Sequence, residues 1–126
     1  MTVVLDASAL LAFLHKEPGA ERVQHALDGA LVSSVNWVEV VQKSLERQTG
    51  VSWLREGFSA VGVIFEPFTS AQAEIAARLW GKTRRYGLSL ADRACISLAM
   101  ERQLPILTAD RIWAEPDLGV EIRLLR

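Results

Sequence analysis

The sequence predicts an α/β fold, a three-layer α/β/α sandwich with a central parallel sheet of about five strands. Three observations predict it. Short runs that are apolar throughout recur along the chain, as strands buried on both faces require. Helix-length segments with their own caps and breaks separate those runs, and strand–helix alternation places helices on both faces of a parallel sheet. With 126 residues, 50% hydrophobic and 23% charged, the chain is long enough to bury one real core. No repeat, low-complexity tract or linker interrupts it, so residues 1–126 are expected to form a single domain.

The opening run Thr2-Val3-Val4-Leu5 is a buried strand that stops at Asp6-Ala7-Ser8, before a helical stretch from Ala9 to His15. Pro18 and Gly19 break that stretch. Ala20 to Leu27 has helical spacing, Asp28-Gly29 closes it, and Ala30-Leu31-Val32 forms a second strand. Ser33 and Ser34 are caps for a helix from about Val35 to Gln48, and a further helix is expected over Val51 to Ala60. Val61 to Phe65 is the third strand, followed by a long helix from Ala71 to Arg85. Gly87 ends it and Ser89 caps the next helix, which runs through Met100. Leu104 to Thr108 supplies a fourth strand with Pro105 at its entry, and Val120 to Leu124 a fifth.

Composition narrows function mainly by exclusion. Lys plus Arg number 14 against 15 for Asp plus Glu, a net charge of −1, so bulk charge does not mark a nucleic-acid binder and any such partner must be held locally. The single cysteine, Cys95, lies in an apolar run and reads as a small buried thiol, which suits a reducing cytoplasm. The N-terminus lacks the basic leader and cleavage site of a secretory signal, and no apolar run reaches membrane-spanning length.

Ligands of parallel sheets bind beyond the carboxyl ends of the strands, which selects Asp6 after the first strand and Asp110 just after the fourth. Asp92 sits near the start of its helix with Ile96 and Ala99 as wheel neighbours, on the apolar side, while Arg93, Ser97 and Glu101 form the polar stripe. A buried carboxylate needs a counter-charge. Each Asp alone also suits a cap or turn. Three converging on one edge would repel one another without a cation, and oxygen donors without a Cys or His cluster suit Mg²⁺ or Mn²⁺. Glu39 falls on a polar stripe with Asn36, Gln42, Lys43 and Glu46, where an i,i+4 pair with Lys43 accounts for it.

Four segments carry a resemblance. Val4-Leu5-Asp6-Ala7-Ser8-Ala9-Leu10-Leu11, Val35-Asn36-Trp37-Val38-Glu39-Val40-Val41, Leu88-Ser89-Leu90-Ala91-Asp92-Arg93-Ala94 and Leu107-Thr108-Ala109-Asp110-Arg111 are similar, in order and spacing, to the acidic motifs of PIN domains. More narrowly, the whole chain resembles a VapC toxin of a toxin-antitoxin pair. The resemblance implies that Asp6, Glu39, Asp92 and Asp110 surround one or two Mg²⁺ or Mn²⁺ ions, with Glu39 as a ligand or water orienter. It also implies endoribonuclease activity leaving 5′-phosphate and 3′-hydroxyl ends, a homodimer, and a VapB-like antitoxin that covers the acidic site.

Ser8 and Thr108 are candidates to hydrogen-bond the carboxylates from behind, Ser8 also being suited to a helix N-cap. The histidines, His15 and His25, lie in the first helical segments and read as surface residues rather than catalysts. Arg78, Lys82, Arg84 and Arg85, with Trp80 and Tyr86 interleaved, form the densest basic cluster and the leading RNA-contact candidate. Arg93 and Arg111, each beside a motif Asp, are further phosphate-contact or ion-pairing candidates. The tryptophans read as core or interface residues.

Other acidic folds fit less well. A haloacid-dehalogenase-like phosphatase needs a second acid two positions after Asp6, where Ser8 stands, and a receiver domain needs an Asp at the third strand, which Val61 to Phe68 does not supply. The remaining alternative is a catalytically silent PIN-scaffold module that binds RNA or protein.

Overall fold

The computed structural model describes residues 2–126. Five strands, β1 (Val4–Leu5), β2 (Leu31–Ser33), β3 (Ile64–Glu66), β4 (Ile106–Thr108) and β5 (Ile122–Leu124), form one sheet in the order β3-β2-β1-β4-β5, with every pairing parallel. Helices α1 (Ala7–Leu14), α2 (Ala20–Ala26), α3 (Ser34–Glu46), α4 (Leu54–Ala60), α5 (Ser70–Arg78), α6 (Trp80–Thr83) and α7 (Leu90–Arg102) cover its faces. This is the expected α/β/α sandwich.

The alternation of side chains along a strand explains why the strands are apolar throughout. Val3, Leu5, Val32 and Leu107 enter one core with residues of α1 to α4, whereas Val4, Leu31 and Ile106 enter the other with α7, Leu79 and Trp113. Each central strand thus serves two cores at once. The edge strands do not: β5 is half-buried and Ile64 of β3 is exposed.

Capping matches the sequence at several helix starts. Asp6 accepts from the Ala9 N–H, Ser33 from Val35, Thr69 from Gln72 and Ser89 from Asp92. Ser8 is therefore not an N-cap; it lies inside α1. At the turns below β2 and β3, Gly62 adopts φ +101°, and a Cβ there would stand 2.3 Å from Asp28 Oδ1, so only glycine fits.

One further expectation changes. The long helix from Ala71 to Arg85 ends at Arg78 and continues as the short α6 and a 3₁₀ turn, Arg84–Tyr86. The polar stripe of Arg93, Ser97 and Glu101 lies toward α5, against which α7 packs: Ser97 is buried, Arg93 donates to the Ala76 carbonyl, and the exposed Glu101 accepts from Gln72. Polar side chains there satisfy a helix–helix contact, a use that wheel periodicity does not distinguish from exposure.

Candidate active site

The sheet's order places β2 on one side of β1 and β4 on the other, so chain direction across the sheet reverses at β1. Asp6 leaves β1 and Asp110 follows β4, side by side at this switch point. Helices α3 and α7 bring Glu39 and Asp92 to the same place, Asn36 linking them by donating to both the Ala91 carbonyl at 3.1 Å and Glu39 Oε1 at 3.4 Å. All four carboxylates line one cleft of about 310 Å³ with Ser8, Leu11, Gln42 and Lys43.

Asp6 is the most enclosed. Its carboxylate accepts from Ser8 Oγ at 2.8 Å, Thr108 Oγ1 at 2.7 Å and the Ala9 N–H at 3.0 Å. Burial pushes its pKa up from 3.8 to about 6, overriding those stabilising hydrogen bonds, and the charge of Asp92 adds to the rise. Ser8 and Thr108 also face the other way: Ser8 Oγ accepts from the Ala109 N–H and Thr108 Oγ1 from the Asp110 N–H. The two hydroxyls therefore fasten the end of β1 to the end of β4 and set the spacing of Asp6 and Asp110.

Asp92 closes a capping box with Ser89, its Oδ2 accepting the Ser89 N–H at 2.8 Å. Partial burial raises its pKa, opposed by the Ser89 hydrogen bonds and reinforced by Asp110. Glu39 is raised by burial too, opposed by Asn36 and reinforced by Asp92. The buried Cys95 thiol is pushed well up, first by burial and then by the charges of Asp6, Asp92 and Glu39. The acids share one field.

Three carboxylate oxygens are left over in that field. Among the described residues, Asp92 Oδ1, Asp110 Oδ2 and Glu39 Oε2 carry no hydrogen bond, and each belongs to a side chain lining the cleft. Among the described residues no group of three or more acidic, histidine or cysteine side chains is placed closely enough to hold a metal ion as it stands. Carboxylate oxygens are hard donors, the type that Mg²⁺ and Mn²⁺ take in general.

The basic candidates behave differently. Arg78 stands 3.9 Å from Glu74, Lys82 donates to the Asp117 carbonyl, Arg84 lies over Trp80 and Arg85 donates to Tyr86 Oη. Arg93 braces α5, and Arg111 donates to the Arg126 carbonyl. None of the six lines the acidic cleft.

Sequence reasoning missed a second set of cations. A larger annex of about 540 Å³ shares Ser8, Leu11 and Lys43 with the cleft and is further lined by His15, Glu17, Glu46, Arg47, Ala109 and Arg126. His25 is exposed as expected, but His15 adjoins the acidic site rather than standing apart from it. Lys43 pairs with Glu46 at 3.6 Å, not with Glu39. The spacing of Glu39, Lys43 and Arg47, four residues apart along α3, was the available signal that they share a face. Of the tryptophans, Trp113 is core and Trp37 packs on Phe58 and Phe65, whereas Trp53 and Trp80 are exposed.

The chain matches a family model described as PIN domain over residues 3–118. Its fold is similar to a toxin-antitoxin complex from Klebsiella pneumoniae, with a TM-score of 0.78, 17% identity and 98% of each chain covered. It is similar also to DNA-bound VapBC from Salmonella typhimurium, with a TM-score of 0.73, 17% identity and coverage of 100% and 99% of the two chains. A third likeness is to VapBC-1 from nontypeable Haemophilus influenzae, with a TM-score of 0.66, 14% identity and coverage of 99% and 98%. No curated protein matches the sequence.

Proposed function

We propose a nuclease function for this chain, which belongs to the PIN-domain family: it is a Mg²⁺- or Mn²⁺-dependent endoribonuclease, the toxin of a VapBC-type toxin-antitoxin pair. The observation that carries this reading is the convergence of Asp6, Glu39, Asp92 and Asp110 on one cleft at the sheet's switch point. Asp6, Asp92 and Asp110 would hold the ion, with Glu39 as a further ligand or as the group that orients the attacking water. When bound, the ion neutralises phosphodiester charge and acidifies water.

The chain's own residues do the rest. Ser8 and Thr108 hold the Asp6 carboxylate in one orientation and tie it to the strand that delivers Asp110. Asn36 holds Glu39 against the start of α7, and the Ser89 capping box fixes Asp92 so that one of its oxygens stays available. Among the described residues no histidine lines the cleft, so proton movement falls to water and carboxylates. The exposed cations Arg78, Lys82, Arg84 and Arg85 are outer contacts for the RNA backbone, away from the reacting bond.

A partner is part of the proposal. Val38, Leu45, Trp53 and Val61 are exposed apolar side chains on or beside α3 and α4, and Trp53 borders an apolar groove with Phe13, Leu14 and Phe58. This surface supports a homodimer and a VapB-like antitoxin, and the structural likenesses to toxin-antitoxin complexes support the same partner. Among the described residues no helix is long and apolar enough to cross a membrane.

The test is cleavage of a pool of structured RNAs by antitoxin-free protein with Mg²⁺, Mn²⁺ or EDTA, beside Asp6→Asn. Cutting that needs both a metal and Asp6 is the expected result. Cutting that persists in EDTA or in Asp6→Asn overturns the reading.

A further inference from the structure

The annex beside the acidic cleft differs from it in charge and in shape. Four carboxylates line the cleft, and a phosphodiester strand approaching them is repelled on either side of the reacting bond unless cations hold it. In the annex each acid already has a cation: Glu17 lies 3.3 Å from Arg126 Nη2, and Glu46 3.6 Å from Lys43. The Arg47 side chain, exposed at the end of α3, has no hydrogen bond or ion pair with any described residue. It is the annex's free cation among the described residues.

The other walls suit a ring. Leu11 and Ala109 are half-buried apolar side chains, His15 adds a flat imidazole with Nδ1 3.8 Å from Glu17, and Glu17 and Arg126 offer a hydrogen-bond acceptor and donor at the same end. At about 540 Å³ the space is of the size that admits one nucleotide. Single-stranded RNA is read in this way, by a splayed base held against a flat or apolar surface with its edge hydrogen-bonded.

We infer that the annex seats one nucleotide of a single-stranded RNA adjacent to the phosphodiester held in the acidic cleft, with Arg47 on its phosphate and His15 and Leu11 against its base. The inference rests on the nuclease reading for the identity of the strand. Shared walls at Ser8, Leu11 and Lys43 make cleft and annex one trough, so a strand can lie in both.

The two histidines make the test direct, because His15 lines the annex and His25 is exposed on α2, outside it. Ring resonances of both are followed by NMR while a mixed-sequence single-stranded RNA decamer is added in EDTA, with His15→Ala fixing the assignment. His15 resonances should move and those of His25 should not. Arg47→Glu should weaken decamer binding about fivefold and lower the salt slope by about one, while the charge-matched Arg55→Glu, outside the annex, should change affinity less than about twofold. Movement of both histidines or of neither, or equal weakening by the two substitutions, overturns the inference. A His15 response in a protein that cuts no RNA leaves the subsite standing and removes the nuclease reading; metal-dependent cutting without a His15 response does the reverse.

Discussion

The acidic cleft and the basic segment from Arg78 to Arg85 are opposites in how sequence becomes surface. The four acids are spread over more than a hundred positions and come from four elements, yet all line one cleft. The four cations are near neighbours in sequence, yet each settles on a different local partner: Glu74, the Asp117 carbonyl, Trp80 and Tyr86. Closeness along the chain made a charged helix end, whereas the order of strands made a site. A parallel sheet delivers the carboxyl ends of its strands to one edge, and a cluster on a helix has no such mechanism.

The comparison can be broken most severely at Asp92. Asp92→Asn keeps a side chain able to complete the capping box but lacks the charge, and cleavage should fall about 10²–10³-fold with the circular-dichroism spectrum unchanged. Undiminished cleavage would mean that convergence of the acids has no chemical purpose.

Next in size is the cost of assembling the cleft. The Asp6 pKa is raised in the folded protein, so its neutral form is favoured there; the associated stability is present below pH 3.8 and lost as pH rises through about 6. At about 1.4 kcal/mol per pH unit this amounts to at most about 3 kcal/mol. Thermal melts in EDTA should show the parent losing stability between pH 4 and 7, and Asp6→Asn, which retains the oxygen that caps α1, should lose less and be the more stable protein at pH 7. Parallel pH profiles for the two would show that Asp6 carries no such burden.

Thr108→Val sharpens the same point, because it leaves every carboxylate in place and removes only the hydroxyl shared by Asp6 and Asp110. Metal affinity by calorimetry should drop about 10- to 100-fold. The smallest effect belongs to the basic segment: Arg84→Glu with Arg85→Glu should weaken RNA binding only about threefold at low salt, with kcat unchanged, as befits exposed side chains. A loss as large as that of Asp92→Asn would draw this segment into the site.

Much of this architecture was legible in the residues. Val3 to Leu5, Leu31-Val32 and Ile106-Leu107 read as two-faced strands because neighbouring side chains enter different cores. Asp6 and Asp110 were identifiable from the rule that places ligands at strand ends, and Ser89 from its place before an apolar helix. Glu39 was not, since its wheel neighbours are polar and Lys43 offered it a sufficient partner; only the resemblance raised it. The structure gives the physical reason: Asn36 and Glu39 are drawn under the start of α7, while Lys43 turns to Glu46. His15, Lys43 and Arg47 escaped notice as a group because α1 and α3 meet only in the packed molecule.

By itself, then, the sequence determined the element types, the two-faced strands, the caps and the acids placed after β1 and β4. Those features depend on periodicity and on groups a few residues apart, where local stereochemistry and burial are strong enough to act alone. Tertiary structure decided which polar faces meet solvent, which cations stand beside the acids, and that Ser8 and Thr108 are one fastening between two strands. These depend on distances between segments remote in sequence, and hydrogen bonds and charges act only over the few ångströms that packing creates.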